Sequence, residues 1–195
     1  MNTQNQSSTR ADYASIAIPL TQTDIKKAAR GNKPAEGWYR FTVSASKADV
    51  SKNGGSMMFV NELLITDSEG NTKGRPIRDY LVLPIATPQE LLTAKGFPDT
   101  FTHTAPNTFK FVRDYLQASR PAEFPYDPEA GPDTAAVKEE KATAILSFLT
   151  AAWATDGQVF VGDVIYGKLE DDSEGRPEIV VMRATLPADE TLVVA

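Results

Sequence analysis

WYRFTVSASKA at 38–48, SKNGG at 51–55 and SMMFVNELLIT at 56–66 read together as one β-hairpin, and the rest of the fold is laid out from it. In the first run Tyr39, Phe41, Val43 and Ala45 alternate with Trp38, Arg40, Thr42 and Ser44. A period of two places one set on each face of a half-buried strand. The Asn-Gly pair inside SKNGG is the strongest short hairpin signal, because both positions tolerate the positive φ that a tight turn needs. On the return strand Met58, Val60 and Leu64 form an apolar row expected to face the core, which leaves Phe59 and Asn61 on the other side.

Working outward, DSEGNTKG at 67–74 is a second turn and RPIRDYLVLP at 75–84 a third strand. There Ile77, Leu81 and Leu83 suit the core while Arg78 and Tyr80 face away. The pattern then changes. PQELLTAKG at 88–96 predicts a short helix opened by Thr87 and closed by Gly96. NTFKFVRDYLQAS at 107–119 predicts a second, with Phe111, Tyr115 and Ala118 on one face. After a Pro-rich loop at 121–132, Asp133 is placed to cap a long helix over 134–154, whose Ile145, Phe148, Leu149, Ala152 and Trp153 make an apolar stripe. QVFVGDVIYGKL at 158–169 and PEIVVMRATL at 177–186 predict a closing hairpin.

Upstream, residues 1–12 read as a disordered polar tail, 13–20 (YASIAIPL) as a short strand and 25–30 as one helical turn. The expected organisation is a single domain over 13–187, with barrel strands in 37–84 and 156–187, a helical insertion over 85–155, and a loose C-terminal tail at 188–195. Three meandering strands, a helical segment and a final hairpin follow the order of a five-stranded OB-like β-barrel, mainly β with an α insertion. A small β-sandwich with a helical subdomain is the alternative.

Composition narrows the chemistry. The 195 residues contain no cysteine and one histidine, His103, which removes disulfides, thiolate nucleophiles and multi-His or Cys-ligated metal sites. No run approaches the roughly 20 apolar residues of a membrane span, and the N-terminus lacks a signal-peptide layout, so the host cytoplasm is the expected location. The net charge is −6, yet it is unevenly spread. Residues 1–60 carry eight Lys/Arg against four Asp/Glu, residues 61–120 seven of each, and residues 121–195 five against fifteen. A partner responds to the local field, so the basic first third leaves a polyanion open.

Catalytic motifs are missing. No Ser sits in a G-x-S-x-G elbow. KNGGS at 52–56 lacks phosphate-loop spacing. The run Glu170-Asp171-Asp172 lacks EF-hand spacing and reads as a solvated turn rather than a metal site. His103, flanked by threonines, reads as a surface loop residue. No cofactor is expected. The strands instead offer rings and cations together: Trp38, Arg40, Phe59, Arg78 and Tyr80 on one outer face, with Lys47, Lys52, Lys73 and Arg75 around it. Sequence-independent binding of single strands needs both, since cations neutralise phosphates and each base stacked on a ring contributes about 1–3 kcal/mol.

KPAEGWYRFTVSASKADVSKNGGSMMFVNELLITDSEGNTKGRPIRDYLVL resembles the opening of a phage single-stranded DNA-binding family. The resemblance is carried by Pro34, Gly37 and Tyr39, the turn at 51–55, the apolar strand at 57–65, and Gly74, Arg75, Ile77 and Asp79. DGQVFVGDVIYGKLEDDSEGRPEIVVMRATLP is similar to the family's closing hairpin. It covers about 85 residues, near 37–84 and 156–187, and its motifs are partly plain hairpin chemistry. It implies an OB-fold that coats single-stranded DNA in phage replication or recombination without catalysis, alongside phage or host replication proteins. Two departures stand out: a long insertion, and a C-terminus PADETLVVA without the acidic, aromatic-tipped tail that recruits partners. The apolar face of the long helix is expected to dock on its own barrel or on a neighbouring subunit. The competing readings are a virion structural or interaction module and, more remotely, a nuclease using scattered acids.

Overall fold

The computed structural model describes residues 33–193 apart from 53, 54, 68, 104 and 127–131, with backbone alone at Lys73 and Arg75. The expectations for residues 1–12, 13–20 and 25–30 lie outside the described residues.

Five antiparallel strands form one curled sheet: β1 (Gly37–Val50), β2 (Met57–Thr66), β3 (Thr72–Val82), β4 (Val164–Asp171) and β5 (Pro177–Arg183), in the order β3-β2-β1-β4-β5. Three helices follow β3 in the chain: α1 (Gln89–Ala94), α2 (Phe109–Ser119) and α3 (Ala135–Ala154). β1 pairs with β2 from Arg40 to Val50 but with β4 only from Gly37 to Thr42. Beyond that point its free edge is met by the end of α3. Asp156 Oδ1 accepts the Ala48 N–H at 3.0 Å and Gln158 Nε2 donates to the Ser46 carbonyl at 3.3 Å. Gly157, at φ +75°, packs so closely that a Cβ would lie 2.6 Å from Ser46 Oγ.

The inner face of the sheet is the core. Tyr39, Phe41 and Val43 of β1, Met57, Phe59, Leu63 and Ile65 of β2, Leu81 of β3, and Ile165 and Leu169 of β4 are buried in one cluster with Val112, Tyr115 and Leu116 of α2 and Ile145 and Leu149 of α3. Phe160 is its hub, with ring centroids 4.8 Å from Phe59, and 5.8 Å from both Tyr115 and Phe148.

Two phases differ from expectation. A bulge at Ser44, between Val43 and Ala45, advances β1 by one residue. Ala45 is therefore exposed and Ser46 is buried. On β2 the row Met57, Phe59, Asn61, Leu63, Ile65 faces inward, and Met58, Val60, Glu62 and Leu64 face outward. Both rows are apolar, but only the outer one holds a carboxylate, which is costly to bury unpaired. Asn61 goes inside because its Oδ1 accepts the Ser46 hydroxyl at 2.7 Å.

β4 starts at Val164, since Gln158–Phe160 turns as a 3₁₀ segment between glycines of positive φ at 157 and 162. Thr87 is buried and does not cap α1, which Pro88 precedes. Thr134, not Asp133, caps α3 through the Val137 N–H, and Asp133 pairs with Lys141 at 2.9 Å. On α2 the buried stripe is Val112, Tyr115, Leu116 and Ala118, which leaves Phe111 in solvent. Within the segment expected as a loose tail, Leu192 bridges to Trp38, and the Val193 N–H donates to the Trp38 carbonyl at 2.8 Å. His103 is half-buried and stacks on Phe101 at 6.3 Å. Asp172 accepts the N–H groups of Glu174 and Arg176 and the Arg176 side chain, and so closes the β4–β5 turn. Those bonds hold its pKa below the usual carboxylate range. No helix among the described residues is long and apolar enough to cross a membrane.

Candidate functional site

The outer face of the sheet is built by register. Lys47 lies opposite Val60, and Val60 opposite Tyr80. One step along, Ala45 faces Glu62 and Glu62 faces Arg78. Further along, one row crosses all five strands: Thr72, Thr66, Arg40, Tyr166 and Arg183. The bulge at Ser44 puts Lys47 on this face. Without it, Lys47 would share the inner face with Tyr39, Phe41 and Val43.

Among the nine residues expected to bind, five keep a place on or beside this surface. Tyr80 is 53% exposed. Lys47 and Lys52 are exposed, Lys52 in the β1–β2 turn. Arg40 is half-buried, and its guanidinium donates to Thr66 Oγ1 at 2.7 Å and to the Asp67 carbonyl at 3.3 Å. Arg78 is exposed and lies 3.5 Å from Glu62. Two residues fail. Phe59 is wholly buried against Phe160 and Trp153, because the inward row of β2 is the one that contains it. Trp38 faces outward but is covered by the chain end at Leu192 and Val193, so no ring face is free. The side chains of Lys73 and Arg75 lie outside the described residues.

Charge on the surface is partly spent internally. Lys168 pairs with Glu170 at 2.8 Å and Asp49 with Lys95 at 2.8 Å. Among the described residues, Arg40, Lys47, Lys52 and Arg183 have no carboxylate at ion-pair distance, so their field is available to an anion.

A groove of about 890 Å³ opens beside this face, where the edge strands β3 and β5 are not paired and α2 packs across the gap. Tyr80, Phe111, Tyr126, Lys110 and Arg183 line it, with Asp79 and Glu178 on its two strand walls. Burial raises the pKa of Asp79 to about 6, against a hydrogen bond from the Tyr80 N–H and with help from the charge of Glu178. Behind it the buried Tyr115 hydroxyl has no hydrogen-bond partner among the described residues, and burial, then the charges of Asp163 and Asp79, push its pKa up.

Sequence reasoning missed Tyr166 and Arg183, which the alternation of VIYGKLED and PEIVVMR carries once the inward Ile165 and Leu169 are known. Phe111 and Tyr126 it missed for different reasons. Phe111 lies one position from the buried stripe of α2, and Tyr126 sits in an irregular loop with no periodicity to read. No family model matches the chain, and no curated protein matches it either.

Proposed function

We propose that this protein binds single-stranded DNA without regard to sequence, on the outer face of an OB-like barrel, and protects the strand in phage replication or recombination rather than acting on it chemically. Five antiparallel strands in which β1 pairs with both β2 and β4, with helices between β3 and β4 in the chain, suit a partly open barrel of that kind. The observation that carries the reading is the pairing of a solvent-exposed ring, Tyr80, with Lys47 in its own row and with Arg183 beside the same groove, while Arg40 lies further along the face; among the described residues none of the three cations is tied to a carboxylate. Flat rings stack on any base, and cations neutralise any phosphate, so the pair of features selects single strands and ignores sequence. Phage or host replication proteins, met in the host cytoplasm, are the partners such a role brings.

The test is fluorescence anisotropy with labelled oligo-dT against a duplex of equal length. The single strand is expected to bind well ahead of the duplex. Tyr80→Ala should weaken the single-strand complex by about 1–3 kcal/mol without lowering the melting temperature, since its ring is already in water. Equal affinity for the duplex rejects the reading.

A further inference from the structure

We propose that the seam between β3 and β5 is a nucleobase pocket that favours bases carrying an exocyclic amine, such as cytosine and adenine, over thymine. The inference rests on the single-strand reading above and adds a preference that the outer face does not supply.

Three aromatic side chains among the described residues stand largely in solvent: Tyr80 at 53%, Tyr126 at 65% and Phe111 at 67%. They come from a strand, a loop and a helix, and all three line this one groove. A chain that buries Phe59, Phe160 and Tyr115 completely has ordinary means of hiding rings, so three exposed ones converging on one cleft call for a flat, apolar occupant. Lys110 and Arg183 also line the groove and suit a strand whose phosphates stay outside it.

The acids decide which occupant. Asp79 and Glu178 lie on the two strand walls and, among the described residues, neither is paired with a cation. A carboxylate repels phosphate, so the backbone is not what enters. It accepts hydrogen bonds, and the amino groups of cytosine N4 and adenine N6 are donors at the base edge, where thymine presents a carbonyl oxygen. Rings to stack on, a sunken acceptor at Asp79, a second, exposed one at Glu178 and cations beside them therefore describe a base with an amine, turned in from a strand that runs past.

The experiment uses the full chain and labelled oligo-dC and oligo-dT of equal length at one salt concentration, with duplex as reference. Oligo-dC should bind roughly fivefold or more tightly than oligo-dT. Glu178→Ala, which removes the acceptor, should bring the ratio of the oligo-dC to the oligo-dT affinity toward one. Phe111→Ala should weaken oligo-dC at least about fivefold, and the exposure of that ring keeps the fold out of the result. If both single strands bind ahead of duplex with equal affinity, or Phe111→Ala changes neither, the pocket is refuted and the outer-face reading stands. The latter is also what a groove built for a protein segment would give. If neither oligomer binds, both readings fall.

Discussion

The ring of Phe59 meets Phe160 at 4.8 Å and Trp153 at 5.8 Å between centroids, with no surface left to water. Phe59→Ala should therefore cost about 3–5 kcal/mol of stability, seen as a large fall in melting temperature in thermal denaturation. Any loss of DNA binding in that variant would follow from unfolding. Asp79 behaves differently. Its folded pKa of about 6 stands above the ordinary 3.8, so folding favours the protonated form. The contribution to stability is complete below about pH 4 and is lost as the pH rises through 6. At about 1.36 kcal/mol per pH unit between the two values, the cost at pH 7 is at most roughly 3 kcal/mol. Asp79→Asn should melt higher than the parent at pH 7, and the difference should vanish near pH 4. A parent whose melting temperature is flat from pH 4 to 7 would contradict this.

Among the elements, the joint between α2 and β4 is the most exacting. Arg120, just past α2, donates to Asp163 Oδ1 at 2.8 Å and Oδ2 at 3.2 Å, to the Val159 carbonyl and to Glu123, and its guanidinium stacks 5.2 Å from the Phe148 centroid. Asp163 is nearly buried, and its pKa is raised because burial outweighs the arginine. Arg120→Ala would leave that carboxylate unpaired, at a cost of about 3–5 kcal/mol, measurable by urea denaturation. Asp163→Asn combined with Arg120→Ala should recover part of the loss. Elements of this kind were legible in the sequence where local rules act: turn residues, the two-residue alternation of β1, and the apolar stripe of α3 all mark their structures. Phase was not. The bulge at Ser44 leaves no trace in composition, and the two rows of β2 differ by one carboxylate. The candidate site inherited the second problem at Phe59, assigned to a surface by phase alone; Trp38 does face outward but is covered at Leu192 and Val193, and Tyr80, on a strand with one clear apolar row, is exposed as expected. The seam groove needs β3, β5, α2 and a loop together, and no single stretch of chain records that meeting.

For the whole molecule, the relevant electrostatics are local. The chain is acidic overall at −6, with fifteen Asp/Glu against five Lys/Arg after residue 120, yet on the outer face Arg40, Lys47, Lys52 and Arg183 have no carboxylate at ion-pair distance among the described residues. Long-range repulsion of DNA by the net charge is screened beyond about 8–10 Å at physiological salt, while contacts at the face are not. Binding of oligo-dT should thus weaken with salt in spite of the negative total. With about four phosphates neutralised by Arg40, Lys47, Lys52 and Arg183, the slope of log K on log salt should lie near −3, and each alanine replacement should flatten it by roughly 0.7. A slope near zero in an anisotropy titration would mean that these cations do not meet the strand.

A strand counts in twos, and Ser44 is where β1 adds one. Everything after it has changed parity, so the same fourteen-residue strand gives Tyr39, Phe41 and Val43 to the interior at odd numbers and Ser46 and Val50 at even ones. Deleting that single residue would straighten the strand and leave Ser46 and Val50 inside and Lys47 outside. Losing two residues there would instead turn Lys47 and Asp49 toward Phe59 and Phe160 and lift Val50 into water, a heavier change than any one substitution there. For this chain, the arithmetic of insertions and deletions near residue 44 decides which side of the sheet is charged.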